Sequence, residues 1–153
     1  QDSPSWNRRL DGLTAALGSE AEIAAVERGD NKVAGGMRAM AALLDADLAL
    51  DAVFVTNNLM TIGALRAIAD RGLKVPDDID LVGYDLNSEE WAWTAPVSAV
   101  NQDPRRIGEV AAQLLLERRV GDQRPGEVRL LEPHVEDPPA VEPSFVHIAQ
   151  GRG

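Results

Sequence analysis

The strongest constraint on the fold is the alternation of short, continuously apolar runs with longer amphipathic ones. Ala52-Val53-Phe54-Val55-Thr56 is apolar at consecutive positions and rich in β-branched and aromatic residues. That is the pattern of a strand buried on both faces. Asp80-Leu81-Val82-Gly83-Tyr84 is a second run of the same kind. Between them Ile62, Leu65 and Ile68 recur at helical spacing, with Gly72 as the stop and Pro76 beyond it. Upstream, Leu10, Leu13, Ala16 and Leu17 define a helix closed by Gly18, and Val33, Met37, Met40, Leu43 and Leu44 define another. Glu22 to Arg28, carrying Ile23 and Val26, reads as a strand that ends in the turn Gly29-Asp30-Asn31. Strands and helices in this alternation build right-handed βαβ units, so the expected class is α/β, a parallel sheet flanked by helices on both faces.

After Asp85 the period is lost. Residues 86–103 hold Trp91, Trp93 and Pro96 without a repeat. Asp103-Pro104 then opens a strong helix, with an aspartate cap and a proline at the first helical position. Ile107, Val110, Ala111, Leu114 and Leu115 share one face of it, and Val120-Gly121-Asp122 ends it. Val128–Leu131 and Phe145–Ile148 read as short strands, and the prolines between them (Pro133, Pro138, Pro139, Pro143) mark a loop or an edge. Gly151-Arg152-Gly153 reads as a frayed tail.

Composition removes several function classes. A chain of 153 residues fits one domain, and its net charge of −10 argues against phosphate-backbone binding by this segment alone. The absence of cysteine removes disulfides, thiolate metal sites and thiol nucleophiles. No apolar run reaches the roughly 18 to 20 residues of a membrane span, and no secretory signal opens the chain. No nucleophile elbow, phosphate loop, dinucleotide fingerprint or zinc-protease motif is present, so no enzymatic activity is expected. His134 and His147 lack further ligands at a metal-site spacing, so neither metal nor cofactor is expected. Gly35-Gly36 reads as close packing of a helix on the sheet, and Asp77-Asp78 as a solvated turn.

Ligands in open α/β sheets bind outside the carboxyl ends of the parallel strands. Three such places exist here: Gly29-Asp30-Asn31, Thr56-Asn57-Asn58 and Tyr84-Asp85. Their amides and carboxylates suit a small polar ligand. Turn or capping chemistry competes at each, most at Asn58, which stands just before the next helix, and less at Asp85, which no clear helix pattern follows.

The runs Asp51-Ala52-Val53-Phe54-Val55-Thr56-Asn57-Asn58-Leu59-Met60-Thr61-Ile62-Gly63-Ala64-Leu65-Arg66-Ala67 and Gly72-Leu73-Lys74-Val75-Pro76-Asp77-Asp78-Ile79-Asp80-Leu81-Val82-Gly83-Tyr84-Asp85 resemble the effector-binding core of LacI/GalR-type transcriptional regulators. Pro96-Val97-Ser98-Ala99-Val100-Asn101-Gln102-Asp103 and the following helix fit the same pattern. Arg9-Leu10-Asp11-Gly12-Leu13 resembles the family's arginine-bearing helix, and Gly36–Met40 its second helix. The likeness covers roughly residues 5–131. It departs at Asn58, where the family usually carries an aspartate, at Leu86, where it carries a second acidic residue, and at Glu136-Asp137-Pro138-Pro139, where it carries Arg-Ser.

The resemblance implies an incomplete, periplasmic-binding-protein-like type I lobe. Residues 1–153 would be the C-terminal part of a two-lobed effector domain. About 5–97 would form the second lobe, about 98–120 the crossover and a first-lobe helix, and about 121–150 the return strands. The helix-turn-helix module, through which the family binds operator DNA, has no counterpart here. Function is then ligand sensing and dimerisation in a cytoplasmic regulator, with a sugar-like effector controlling DNA binding and no membrane partner. A periplasmic-type sugar-binding protein of a transport system is the alternative. The implied ligand-binding residues are Arg9, Asn57, Asp85 and Gln102, with Asn31 as a further candidate, and Asn58 in a capping role. The implied homodimer interface is the helix 59–71 with the segment 86–96, carried by Leu59, Ile62, Trp91 and Trp93.

Overall fold

A computed structural model describes residues 4–19, 21–86, 97–118 and 124–137. Among the described residues four helices, α1 (Pro4–Leu17), α2 (Val33–Asp45), α3 (Asn58–Asp70) and α4 (Pro104–Glu117), accompany four strands. The strands are β1 (Ala52–Phe54), β2 (Asp80–Tyr84), β3 (Ser98–Asn101) and β4 (His134–Glu136). They form one sheet in the order β1-β2-β3-β4. The first three are parallel, with Phe54 opposite Val82 and Tyr84 opposite Val100. β4 runs antiparallel to β3, so the sheet is mixed where an all-parallel one was expected.

Residue parity on β2 shows why both sheet faces carry helices. Leu81 and Gly83 point to one face, where Leu81 joins Met40, Val55, Ala64, Ala67, Ile68 and Ile79 in the core. Full burial of side chains such as Met40, Ile68 and Leu81 contributes about 1.5–3 kcal/mol each. Tyr84 points to the other face, where Arg9 of α1 lies over its ring.

The helices α2 and α3 cross at very short range, and glycines make that possible. A Cβ on Gly63 would meet the backbone of Val33 and Met37, and one on Gly36 would meet the backbone of Met60. Gly36 is therefore a helix–helix contact, whereas a helix–sheet contact was expected. Gly35 is packed beneath the Asp30 carboxylate. Gly18 and Gly72 end their helices at φ +54° and +71°, as helix-closing glycines do.

Two expected strands are absent. Residues 21–30 form no strand. A strand requires a ladder partner, and a cavity of about 420 Å³ separates residues 21–27 from β1. Trp6, Leu10, Leu13, Met40 and Phe54 are among its walls. Val128–Leu131 is likewise not a strand, and Val128 and Leu130 lie in solvent. The pairing with β3 is made a few residues later, by His134–Glu136. Polar contacts hold that later register. Asn101 Nδ2 donates to Glu136 Oε2 at 2.6 Å, and Ser98 Oγ donates to Asp137 Oδ1 at 2.8 Å. The expected strand Phe145–Ile148 lies outside the described residues, and the helix expected to end at 120–122 already ends at Glu117, with Arg118 extended as its C-cap.

α4 begins as its sequence predicts, with Pro104 in the first turn and Asp103 Oδ1 accepting from Arg106 N at 2.9 Å. Val110 is the one buried residue of this helix. Leu115 and Leu116 are 74% and 81% exposed, so most of its apolar surface is uncovered. Beyond it, Arg129 bonds Glu117 at 3.0 Å and Glu127 at 2.7 Å. Its hydrogen bond and positive charge hold the Glu127 carboxyl below the usual glutamate range.

Candidate functional site

The polar groups of interest gather where three parallel strands end. Register places Thr56, Tyr84 and Val100 at the same level of the sheet. Asn57, Asp85 and Gln102 follow directly at its carboxyl edge. Asp85 N donates to Val100 O at 2.9 Å, so the chain leaves β2 in contact with the end of β3.

Asp85 is the hub of this edge. Its backbone is left-handed, at φ 50°, a conformation that aspartate tolerates better than most residues. That turn brings its carboxylate onto the crossing segment after β3. Oδ1 accepts from Gln102 N at 3.0 Å, and Oδ2 accepts from Gln102 Nε2 at 2.6 Å. Leu86, the residue after it, is buried against Gly83 on the core side. An acidic side chain there would be desolvated without a partner.

Arg9 arrives from the opposite side. Its guanidinium carbon sits 3.9 Å from the centroid of the Tyr84 ring, and Nη1 donates to Thr56 O at 2.7 Å. Stacking and the hydrogen bond fix the plane of the guanidinium at the end of β1 and β2. Tyr84 was placed with Asp85 at a candidate strand end but was not named as a ligand-binding residue itself. Its signal was an aromatic residue placed immediately before Asp85 at a strand end.

The two asparagines divide the work differently from expectation. The N-cap of α3 is Asn57, whose Oδ1 accepts from Met60 N at 3.1 Å. Asn58 is the first helical residue, and its Oδ1 accepts from Leu59 N at 2.8 Å. The cap therefore lies one residue earlier than the sequence suggested, because Asn57 has the extended backbone (φ −154°) that a cap needs.

The structure thus brings together Arg9, Asn57, Asp85 and Gln102. Asn31 stands apart, exposed at φ 58° in the turn before α2, where its neighbour Asp30 pairs with Arg38 at 3.4 Å. Leu59 is 42% exposed on α3, and Ile62 is half-buried. Trp91 and Trp93 lie outside the described residues. Among the described residues no three metal-ligating side chains converge, and no helix is long and apolar enough to cross a membrane.

Comparison with known proteins fits this geometry to a class. Residues 2–137 match the periplasmic binding protein-like domain family. The chain belongs to that family and corresponds to the effector-binding core portion of LacI/GalR-type transcriptional regulators. It is 35% identical over 138 residues to the HTH-type transcriptional regulator CelR of Thermobifida fusca, covering 88% of this chain and 41% of CelR. It is 30% identical over 139 residues to the HTH-type transcriptional repressor PurR of Aliivibrio salmonicida, covering 88% and 41%. Among solved structures, a CelR–cellobiose complex superposes with a TM-score of 0.73 at 36% identity, over 89% of this chain and 42% of that one. A dimeric Lac repressor with a C-terminal deletion superposes at 0.68 and 31% identity, over 75% and 43%. The chain spans about 41% of the length of these curated relatives.

Proposed function

We propose that this chain is the sensing part of a cytoplasmic transcriptional regulator, which binds a small polar effector at the carboxyl edge of its sheet. Arg9, Asn57, Asp85 and Gln102 are the groups of this chain that hold the effector. The observation that carries the reading is the cluster itself. A guanidinium, a carboxylate and two amides from α1 and three strand ends meet at the place where open α/β sheets bind ligands. The relatives are regulators, and one of them has been solved with cellobiose, which supports a sensor over a transport protein or an enzyme.

The mechanism that follows is a shift between two lobe arrangements. Gln102 lies on the segment that leaves the sheet towards α4, so a ligand that engages Asp85 also acts on the crossing chain. An effector that binds one lobe arrangement better than the other shifts the population by its difference in affinity. The second lobe includes β3 as well as β1 and β2, the crossover follows Asn101 and leads to α4 as a first-lobe helix, and the chain returns to the sheet as β4. The uncovered apolar surface of α4 fits a helix whose packing partner lies in another lobe.

The complete protein is a homodimer through α3 and the segment 86–96, with Leu59, Ile62, Trp91 and Trp93 at the interface. A dimeric Lac repressor among the structural relatives supports this. It acts on operator DNA through a separate module, since this segment is acidic. The test is operator binding by the complete protein, with and without a panel of sugars. An effector should change operator affinity in the parent, and the change should be lost in Arg9→Ala and Asp85→Ala. Retention of the full response in both variants would remove the site from this edge.

A further inference from the structure

Three consecutive residues at the exit of β3 hold the turn that carries Asp85. Val100 O accepts from Asp85 N at 2.9 Å. Asn101 Nδ2 donates to Leu86 O at 3.1 Å. Gln102 N and Nε2 donate to the Asp85 carboxylate at 3.0 and 2.6 Å. Asp85 has a left-handed backbone, which a chain keeps only where its surroundings enforce it.

The middle contact reaches beyond the turn. Asn101 is only 9% exposed. It faces the Leu86 carbonyl and the Glu136 carboxylate, which are both acceptors, so its NH2 group must point at them and spends one hydrogen on each. Asn101 Oδ1 is buried without a hydrogen-bond partner among the described residues, so the orientation of the amide rests on those two bonds. Register explains how Glu136 arrives. Ala99 lies opposite Glu136 and Asn101 opposite His134, so these four side chains share one face of the β3–β4 pair. The small Ala99 lets Glu136 lean along the ladder to Asn101, a diagonal that long side chains span. His134 Nε2 lies 3.1 Å from the other carboxylate oxygen, Oε1.

We infer that Asn101 and Glu136 are positioning residues of the sensor, tying the return of the chain at β4 to the turn that aims Asp85. The chain leaves the sheet at Asn101-Gln102 and comes back at His134–Glu136, and both passages meet at one buried amide. Loss of the Glu136 carboxylate leaves an NH2 hydrogen without its acceptor and frees the amide to turn away from Leu86. A displacement of either passage is thereby passed to Leu86 and on to the Asp85 carboxylate. This rests on the assignment of the effector site to the carboxyl edge, and adds a route by which its occupancy acts on the returning strand. Glu136 opens the stretch that departs from the Arg-Ser of the LacI/GalR-type pattern. An arginine there would bring N–H donors against an NH2 group, so this pairing is particular to the present sequence.

The test is hydrogen–deuterium exchange on the complete protein, read at single amides. Asp85 N and Gln102 N report the turn, and Val55 N and Asp80 N, bonded to Val82 O and Asp51 O, report the sheet away from it. Glu136→Ala should speed exchange at Asp85 and Gln102 about tenfold or more, the equivalent of one lost hydrogen bond to a charged group, and leave Val55 and Asp80 unchanged. The Glu136 side chain is 38% exposed, so this variant keeps its fold where Asn101→Ala, at a buried position, need not. Glu136→Gln retains an acceptor oxygen and should stay within about threefold of the parent. A sugar that shifts operator affinity in the parent should bind Glu136→Ala about tenfold more weakly and Glu136→Gln nearly as well as the parent. Faster exchange confined to β4, an equal rise at all four amides, no rescue by glutamine, or unchanged sugar affinity in Glu136→Ala would each overturn the inference. The exchange rates need no effector, so their failure leaves the site at the carboxyl edge standing. Failure of the Arg9 and Asp85 variants in operator binding removes that site and leaves the exchange result intact.

Discussion

Replacement of Asp85 separates its two roles, as a clasp within the protein and as a ligand group. In Asp85→Ala, Gln102 loses both of its acceptors, at 3.0 and 2.6 Å. A hydrogen bond to a charged group contributes about 1.5–3 kcal/mol, and the half-buried setting selects the lower end. A further cost of about 1–2 kcal/mol arises because alanine must adopt φ 50°. The sum is about 4 kcal/mol of stability, reduced to about 3 because the two bonds share one partner and are not additive. Asp85→Asn tolerates the left-handed backbone and keeps one acceptor, but presents an NH2 group to the other Gln102 donor. Its cost should be near half, about 1.5–2 kcal/mol. Urea denaturation of parent and variants measures both. The expected order is parent, then Asn, then Ala, with an unchanged dependence on denaturant. On the binding side, loss of a partner for a desolvated hydrogen-bonded group costs about 2–5 kcal/mol. The effector affinity of the folded Ala variant should therefore fall about 30-fold or more. If Asn and Ala are as stable as the parent, Asp85 is no clasp. If both also bind effector like the parent, the site assignment fails.

Three further outcomes are expected. Gly63→Ala should destabilise by about 1–3 kcal/mol or more in thermal or urea unfolding, because its Cβ meets backbone of α2 that cannot rotate away. Gly12→Ala, with open space around it, should not. Analytical ultracentrifugation of the complete protein carrying Ile62→Asp and Trp93→Ala should show a monomer, and an unchanged dimer mass would rule out that interface. The 153-residue segment alone should give no salt-dependent retardation of duplex DNA, because its arginine pairs stand in an acidic chain of net charge −10.

Much of the fold was legible because its signals are local. The runs at 52–56 and 80–84, the helical stripes between and before them, and Asp103-Pro104 each state their own structure. What failed depends on partners that sequence periodicity does not name. Residues 22–28 have strand-like composition, but the cavity between them and β1 denies them a ladder. Val128–Leu131 is the more apolar run, yet His134–Glu136 pairs with β3, because Glu136 and Asp137 find Asn101 and Ser98 there. In the site, the strand-end rule selected Asn57 and Asp85, and the family likeness supplied Arg9 and Gln102. The cap shifted by one residue because two adjacent asparagines carry the same chemistry, and backbone dihedrals decide between them. The partnership of Tyr84 with Arg9 was not legible because stacking joins residues 75 positions apart on different elements.

The most direct test is a crystal structure of the complete protein with an effector bound, chosen by its effect on operator affinity. The account predicts density at the carboxyl edge of the sheet, with ligand atoms within about 3.2 Å of Arg9 and Asp85 and the Gln102 side chain against the ligand or displaced by it. Density in the apolar cavity between residues 21–27 and β1, with the Asp85–Gln102 contact unchanged and Arg9 still free of ligand, would contradict it.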